Sequence, residues 1–388
     1  MATVVPGDVI ASMNVRETIM NSKGKSALFR EPREIGSFSL RGEQRENVDG
    51  PEQLKYLRMP SRRRGLLWDL NYGYGMALRR DSSVPDKLDM LLRWILRNRN
   101  KLVVDPSLYS SGDQTQSLQA DFVLRRGVLV GLMCTPYTMR DDWLVAACRF
   151  RGSIYLYDFE TEAQRKRSLE DAADPRRERM TFWGHKFEQY MVSREPDGEP
   201  DVDAVVNLRE RYYVVVSNTL QSHSLVFDAE VDAADPEIYH RCGHEPHQAG
   251  SMAGYVELKT SRICSSERQY YNFRRFKLLK WWAQSFVAGI PRVICGFRDD
   301  DGLVRRLEEF HVSRMEQTAQ RLWSKAVCMN FCDQVLSFIK QHVEEDDPGV
   351  VYLFKYMPTS HEIVCKHLKE PGMFTLLPDW YLQGFDSV

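Results

Sequence analysis

Four charged side chains stand where short strands should bury apolar ones: Glu230 and Asp232 in "DAEVDAADP" (228–236), and Glu257 and Lys259 in "YVELKTS" (255–261). Successive side chains of a strand alternate faces, so each pair, spaced by two, turns both members to one side. If the two strands pair, three carboxylates and one ammonium gather on a single patch of sheet. Such oxygen ligands suit Mg2+ or Mn2+, whose shells are completed by water and substrate phosphate. Two such ions about 4 Å apart can clamp an in-line displacement at phosphorus. The carboxylate of E-x-K then holds metal, and its lysine meets phosphate or the attacking water. Without metal, the clustered carboxylates raise one another's pKa. A solvated strand face is the plain alternative, and an isolated E-x-D or E-x-K pair usually belongs to one.

Three further stretches offer matching chemistry. In "MTFWGHKFEQYM" (180–191), Trp183, Phe187, Tyr190 and Met191 recur at helical spacing, with Glu188 beside that apolar face. In "KLLKWWAQSF" (277–286), Lys277, Trp281 and Gln284 share a helix face and Lys280 neighbours Gln284. The glutamine interrupts an apolar run, so it points at something polar or marks the boundary between core and solvent. "FVLRRGVLV" (122–130) sets Arg125 and Arg126 before Gly127, between two strand-like runs. Two guanidiniums suit a phosphate; an exposed loop pair is the alternative.

The elements that must position these residues alternate in type. "PDKLDMLLRWILRNRNKL", from Pro85, has apolar residues at 88, 91, 92, 95 and 96 and predicts an amphipathic helix. "WLVAACRFRGSIYLYDFET" reads as strand, glycine turn, strand. "EAQRKRSLEDAADPRRER" (162–179) reads as a solvated helix-loop segment. "RYYVVVSNTL", "HSLVFDAEVDA", Val256 to Lys259, "RVICGFR" and "VVYLFKY" are strand-like. "YNFRRFKLLKWWAQSFVAGIP" is an amphipathic helix closed by Gly289 and Pro291, and helical runs return from Glu316 to Val343. Residues 1–26 are polar and aperiodic and read as a disordered tail. Residues 27–388 then form one catalytic domain of mixed α/β class, a mixed β-sheet core flanked by helices.

The 388 residues allow a large core, and 43% hydrophobic with 28% charged residues is ordinary for a globular enzyme. A formal charge of −1 provides no global field toward nucleic acid, so such a role must rest on local patches or bound metal. Met1 to Lys25 lacks the apolar stretch of a signal peptide. No run approaches the roughly 20 apolar residues of a membrane span, and no membrane partner is expected. The eight cysteines form no CxxC and read as free thiols, which suits the cytosol or nucleus.

At this point the sequence resembles the DXO family of decapping exoribonucleases, related to the fungal nuclear exonuclease-interacting RNA 5′-pyrophosphohydrolases. "GHKFEQYM", "AEVDAADP", "YVELKTS" and "KLLKWWAQSF" occur in the family's order. "FREPREIGSFSL", "TPYTMRDDWLVAACRF", "CGFRDDDG", "AVCMNFC" and "LLPDWY" extend the likeness from near residue 29 to the end. The resemblance implies a fold similar to the D-(D/E)-x-K nucleases. It implies an enzyme using one or two Mg2+ or Mn2+ ions on RNA 5′ ends: triphosphate, incomplete cap or NAD cap. In many members 5′ to 3′ digestion follows; fungal relatives bind a 5′–3′ exoribonuclease, and a nuclear setting is implied. By the same resemblance Glu188, Glu230, Asp232, Glu257 and the main-chain carbonyl of Leu258 bind metal. Lys259 and Gln284 meet the scissile phosphate or attacking water. Arg126, with Arg125 and Gly127 beside it, holds an RNA phosphate, and Asp86 lies where relatives carry an acid near the substrate. Ala229 replaces the glycine that often precedes E-x-D, a change compatible with a strand.

Other readings belong to different classes. One is a non-catalytic RNA-end-binding protein that recruits or stabilises a 5′–3′ exonuclease, against which the full carboxylate set speaks. Another is a DNA exonuclease of the wider D-(D/E)-x-K group. His240, Cys242, His244 and His247 lack the paired knuckles usual for structural zinc. Cys328 and Cys332 read as helix packing, and Arg62 to Arg64 as a solvated loop.

Overall fold

"RYYVVV" and "HSLVF" are β-branched and aromatic without alternation, the composition of strands covered on both faces. They lie in Arg211–Leu220 and His223–Glu230, an antiparallel pair inside the larger of two mixed sheets. The structure, a computed structural model, describes residues 7–80, 86–102, 118–242, 250–368 and 370–386. Among the described residues this sheet has eleven strands. Their spatial order is Asp8–Asn14, Glu362–Leu368, Val351–Met357, Trp143–Phe150, Ser153–Phe159, Phe122–Arg125, His223–Glu230, Arg211–Leu220, Arg33–Arg41 and Gly250–Ser251, with Glu46–Asp49 beside Arg33–Arg41. Ser153–Phe159, Phe122–Arg125 and His223–Glu230 are adjacent and mutually parallel.

The smaller sheet has seven strands among the described residues, in the order Arg64–Asp69, Leu303–His311, Arg292–Arg298, Tyr255–Arg262, Ala233–Ala234, Tyr56–Leu57 and Val192–Ser193. The main core lies between the sheets. Val214 and Val216 of the larger and Val293 and Cys295 of the smaller meet there with the helices Arg126–Cys134, Leu278–Ala288 and Lys325–His342. On the outer face of the larger sheet, the helix Asp89–Arg97 packs Leu91, Leu92, Trp94 and Ile95 beside Tyr381 and Phe385 of the C-terminal helix. On the outer face of the smaller sheet, the helix Pro175–Met191 packs Phe182, Trp183, Phe187 and Met191 against Val256, Leu258 and Ile294. Each such side chain contributes roughly 1.5–3 kcal/mol by leaving water. The helix approaches closely because Gly296 has no side chain; a Cβ there would stand 2.4 Å from the Phe187 ring.

Several expectations change. The segment read as a tail is ordered where it is described: Asp8–Asn14 pairs antiparallel with Glu362–Leu368, and a helix, Val15–Asn21, follows. Its polar backbone is satisfied from a distance. Asn330 donates to the carbonyls of Ser22 and Lys25 at 2.8 and 3.0 Å and accepts from the Ala27 N–H at 2.6 Å. Composition could not show this, because the partner is some 300 residues away. Residues 1–6 lie outside the described residues, as do Pro85, His244 and His247. The run after Arg125, read as strand-like, is the helix Arg126–Cys134; a continuously apolar run does not by itself separate a buried helix from a buried strand. Asp174-Pro175 breaks the 162–179 segment into two helices, Glu162–Ala173 and Pro175–Met191, with Asp174 capping the second through the Arg176 N–H. The late helical run is likewise two helices, Met315–Thr318 and Lys325–His342. Gly289 (φ 76°) closes Leu278–Ala288 in the left-handed conformation that the sequence implies.

Candidate active site

The three parallel strands end together, and their carboxyl ends open into a cavity of about 1010 Å3. In open α/β sheets this is where ligands bind. Tyr157, Asp158 and Phe159 come from one strand end, Arg125 from the next, and Asp228 and Glu230 from the third. Arg126 and Gly127 open the helix that follows, and Lys280 and Gln284 line the cavity from the helix Leu278–Ala288. No side chain caps the helix Arg126–Cys134 at its start, so its first N–H groups and its dipole favour an anion. A Cβ on Gly127 would come no closer than 3.9 Å to Asp158, so space alone does not require glycine there.

Arg125 is tied down: its Nε lies 3.4 Å from Asp228 Oδ2 and its guanidinium 5.8 Å from the centre of the Tyr213 ring. The Asp228 charge raises the Arg125 pKa against the effect of burial. Asp228 itself is buried, which pushes its carboxyl up despite Arg125 and Arg126.

Arg126 reaches across to the smaller sheet, its Nη1 3.2 Å from Glu257 Oε2. Glu257 Oε1 accepts from Lys259 Nζ at 2.5 Å, so the E-x-K pair does share a face. Burial opposes ionisation of Glu257, but Lys259 and Arg126 outweigh it and hold its pKa below the ordinary value. Burial likewise opposes the charge on Lys259, and Glu257 and Asp232 overcome it. Asp232 Oδ2 accepts from the Leu258 N–H at 2.7 Å. Burial, then Glu257, Glu188 and Glu230, push the Asp232 carboxyl well above the usual range, although Lys259 acts in the other direction. Glu230 pairs with Arg211 Nε at 2.8 Å. Glu188, a quarter exposed, lies 3.4 Å from His185 Nδ1. Burial raises its pKa, yet His185, Arg211 and Lys55 together bring it down to about 2.

The expected residues therefore converge, but by a different route. The E-x-D and E-x-K strands do not pair. Glu230 ends a strand of the larger sheet, whereas Asp232 lies past that end, just before Ala233–Ala234, which pairs with Tyr255–Arg262 in the smaller sheet. The chain crosses between the sheets at this motif. Lys277 turns away from the Gln284 face and donates to Ser261 Oγ at 3.2 Å. Asp86 does not line the cavity; Arg45 and Arg80 hold it at 2.5 and 2.9 Å. Ala229 is buried in the inter-sheet core. The sequence reading missed Asp228, Arg211, His185 and Lys55. Asp228 and His185 had a signal, standing two before Glu230 in one strand and three before Glu188 in one helix.

A family model described as RAI1-like PD-(D/E)XK nuclease matches residues 30–382. The chain belongs to this family. It is 37% identical over 364 residues to the Mus musculus decapping and exoribonuclease protein, covering 93% of this chain and 86% of that relative. The fold of this RAI1-like nuclease is also that of Candida albicans Rai1, solved in complex with pU5 and Mn2+, with a TM-score of 0.79, 21% identity and coverage of 98% and 99% of the two chains. Scheffersomyces stipitis Rai1, solved with (3′-NADP)+ and calcium, gives a TM-score of 0.78 at 22% identity, covering 94% and 98%.

The family implies a divalent ion, and the donor chemistry here fits one. Burial, then three neighbouring carboxylates, push the Asp232 carboxyl up, a surplus of negative charge that a cation relieves. All the donors are hard oxygens. Among the described residues no three His, Cys, Asp or Glu side chains form a finished cage. Glu257, Glu230 and Glu188 are instead held by Lys259 and Arg126, by Arg211 and by His185.

Proposed function

We propose that this RAI1-like nuclease is a divalent-metal-dependent hydrolase of RNA 5′ ends. It removes incomplete caps, NAD caps and pyrophosphate from triphosphate ends, with 5′ to 3′ digestion of the exposed RNA. The observation that carries the reading is the Arg126–Glu257 contact, which joins a phosphate-binding helix start at the cavity to the acidic cluster. The names of its relatives and the pU5, (3′-NADP)+, Mn2+ and calcium complexes of the Rai1 structures support it.

Glu188, Glu230, Asp232, Glu257 and the Leu258 carbonyl would hold Mg2+ or Mn2+, which would supply an activated water and neutralise charge developing at phosphorus. Arg126 and the first N–H groups of its helix bind the phosphates of the incoming end. Lys259, kept charged by Glu257, donates to a phosphoryl oxygen or to the attacking water. Gln284, on the opposing wall, orients the same group. Water adds to phosphorus, the bond to the cap, to pyrophosphate or to the leaving nucleotide breaks with a proton passing to the leaving oxygen, and a 5′ phosphate remains on the product. On this reading the protein acts in the nucleus, which imaging of the tagged chain tests.

The decisive assay uses end-labelled RNAs bearing monophosphate, triphosphate, unmethylated cap, methylated cap or NAD, each with Mg2+, Mn2+ or EDTA. The expected result is metal-dependent release that a Glu230→Ala/Asp232→Ala double variant loses. Tight binding without product under any metal would put the RNA-end-binding reading first.

A further inference from the structure

Between Arg262 and Lys280 the chain carries six cations (Arg262, Arg268, Arg274, Arg275, Lys277 and Lys280) and one acid, Glu267, within a protein of net charge −1. Three aromatic side chains on this stretch are exposed: Tyr270 at 42%, Tyr271 at 47% and Phe276 at 49%. Exposed rings among cations are the surface that single-stranded nucleic acids use, the cations following the backbone and the rings stacking bases.

A π-helical turn, Phe273–Lys277, interrupts the helix here. Such turns rotate the side-chain faces on either side of them and are frequent at functional sites. Phe276 consequently borders two cavities at once, the 1010 Å3 cavity already described and a second of about 360 Å3. The second is lined by Arg262, Gln269, Asn272, Phe273, Phe276 and Lys277, among others. Its size suits one small planar group. Its polar wall is open: among the described residues the Asn272 amide makes no hydrogen bond, and Gln269 uses only its oxygen, accepting from Ser265 N–H and Oγ at 2.7 and 3.0 Å. Arg275 sits 5.3 Å from the Phe276 ring and donates to the Tyr137 carbonyl at 3.0 Å, which steadies the partition between the two cavities.

We infer that the second cavity is a nucleobase subsite for the RNA strand that trails from the active site. The strand leaves the main cavity over Phe276, stacks a downstream base on that ring, and presents the base edge to Asn272 and Gln269. Lys277, Arg268 and Arg274 follow its phosphates, Arg262 being already paired with Asp300. This placement rests on the RNA 5′-end reading above and adds a preference for chain length to it.

The test is equilibrium binding, in EDTA to prevent turnover, of 5′-phosphorylated oligouridylates, a dinucleotide and a dodecamer, to wild type and to Phe276→Ala, Asn272→Ala and Lys277→Ala. Base–aromatic stacking of about 1.4 kcal/mol is tenfold in affinity, so Phe276→Ala should weaken dodecamer binding about tenfold while the dinucleotide shifts by less than about twofold. Asn272→Ala and Lys277→Ala, whose side chains border only the second cavity, should weaken the dodecamer selectively, and Phe276→Tyr should restore it. Equal effects on both lengths, or none on the dodecamer, overturn the subsite and leave the RNA 5′-end reading standing. Failure of wild type to bind either length overturns the subsite; only the absence of metal-dependent turnover in the assay above overturns the RNA 5′-end reading as well.

Discussion

Glu257 and Glu34 are both buried, and one strand handles them in opposite ways. Tyr255 and Glu257 are two residues apart on the same face of Tyr255–Arg262. Glu257 is flanked by Lys259 and Arg126, at 2.5 and 3.2 Å, and stays ionised. Glu34 receives the Tyr255 hydroxyl at 2.7 Å, with Tyr212 bonded to Tyr255 at 3.2 Å. Burial raises the Glu34 pKa to about 7, and neither the tyrosine hydrogen bond nor Lys101 offsets this. A hydroxyl satisfies a buried carboxyl; two cations keep one charged. Beside this one strand a buried carboxylate stays charged where two cations flank it and is pushed up where a hydroxyl bonds it, and the two solutions stand two residues apart.

The largest test of the contrast is Glu257→Gln. It leaves the half-buried Lys259 and Arg126 beside a neutral amide, which costs about 1–3 kcal/mol. On the proposed mechanism it also removes a group that would hold the metal, so a kcat loss of about a hundredfold to a thousandfold is expected. Denaturant titration and steady-state hydrolysis of a capped RNA measure the two effects. Retained activity would mean that the charge of Glu257 is structural only.

Glu34→Gln should spare activity and change the pH dependence of stability. The folded pKa of Glu34, about 7, lies above its unfolded value of 4.5, so its contribution is complete below pH 4.5 and lost as pH rises through 7. At about 1.4 kcal/mol per pKa unit the wild type loses about 3 kcal/mol across that window, and the variant should lose little. Unfolding titrations from pH 5 to pH 8 compare the slopes; parallel curves would show that Glu34 is ionised in the folded protein.

A smaller effect is expected at Gly296, where the added methyl of Gly296→Ala meets Phe187, the residue before Glu188. Overpacking of this kind costs about 1–3 kcal/mol. Because it shifts the helix that carries Glu188, activity should fall more than stability does, which a kcat measurement well below the unfolding temperature separates. An unchanged kcat would place Glu188 outside the reacting centre.

Much of this site was legible before any fold was known. The spacing of two that puts Glu257 and Lys259 side by side, the helical spacing that sets Glu188 at the edge of an apolar face, and the glutamine interrupting "LLKWWAQSF" are local patterns. They follow from backbone geometry over a few residues. The same local reasoning failed where a contact was distant. Asn330 orders residues 22–27 from far along the chain, Arg126 meets Glu257 across 131 residues, and the chain crosses from one sheet to the other at the E-x-D motif. A strand period can say that two side chains share a face, but not which sheet that face belongs to.

The sequence by itself determined which residues are available for metal and phosphate chemistry, because side-chain type and short-range spacing fix the donors and their local grouping. Tertiary structure alone decided their charge states and their partners. Burial and three acids, from two strands and a helix, push the Asp232 carboxyl up, and Glu230 is held by Arg211. Burial and the Coulomb field of neighbouring groups set these states, and both exist only once the two sheets close on each other.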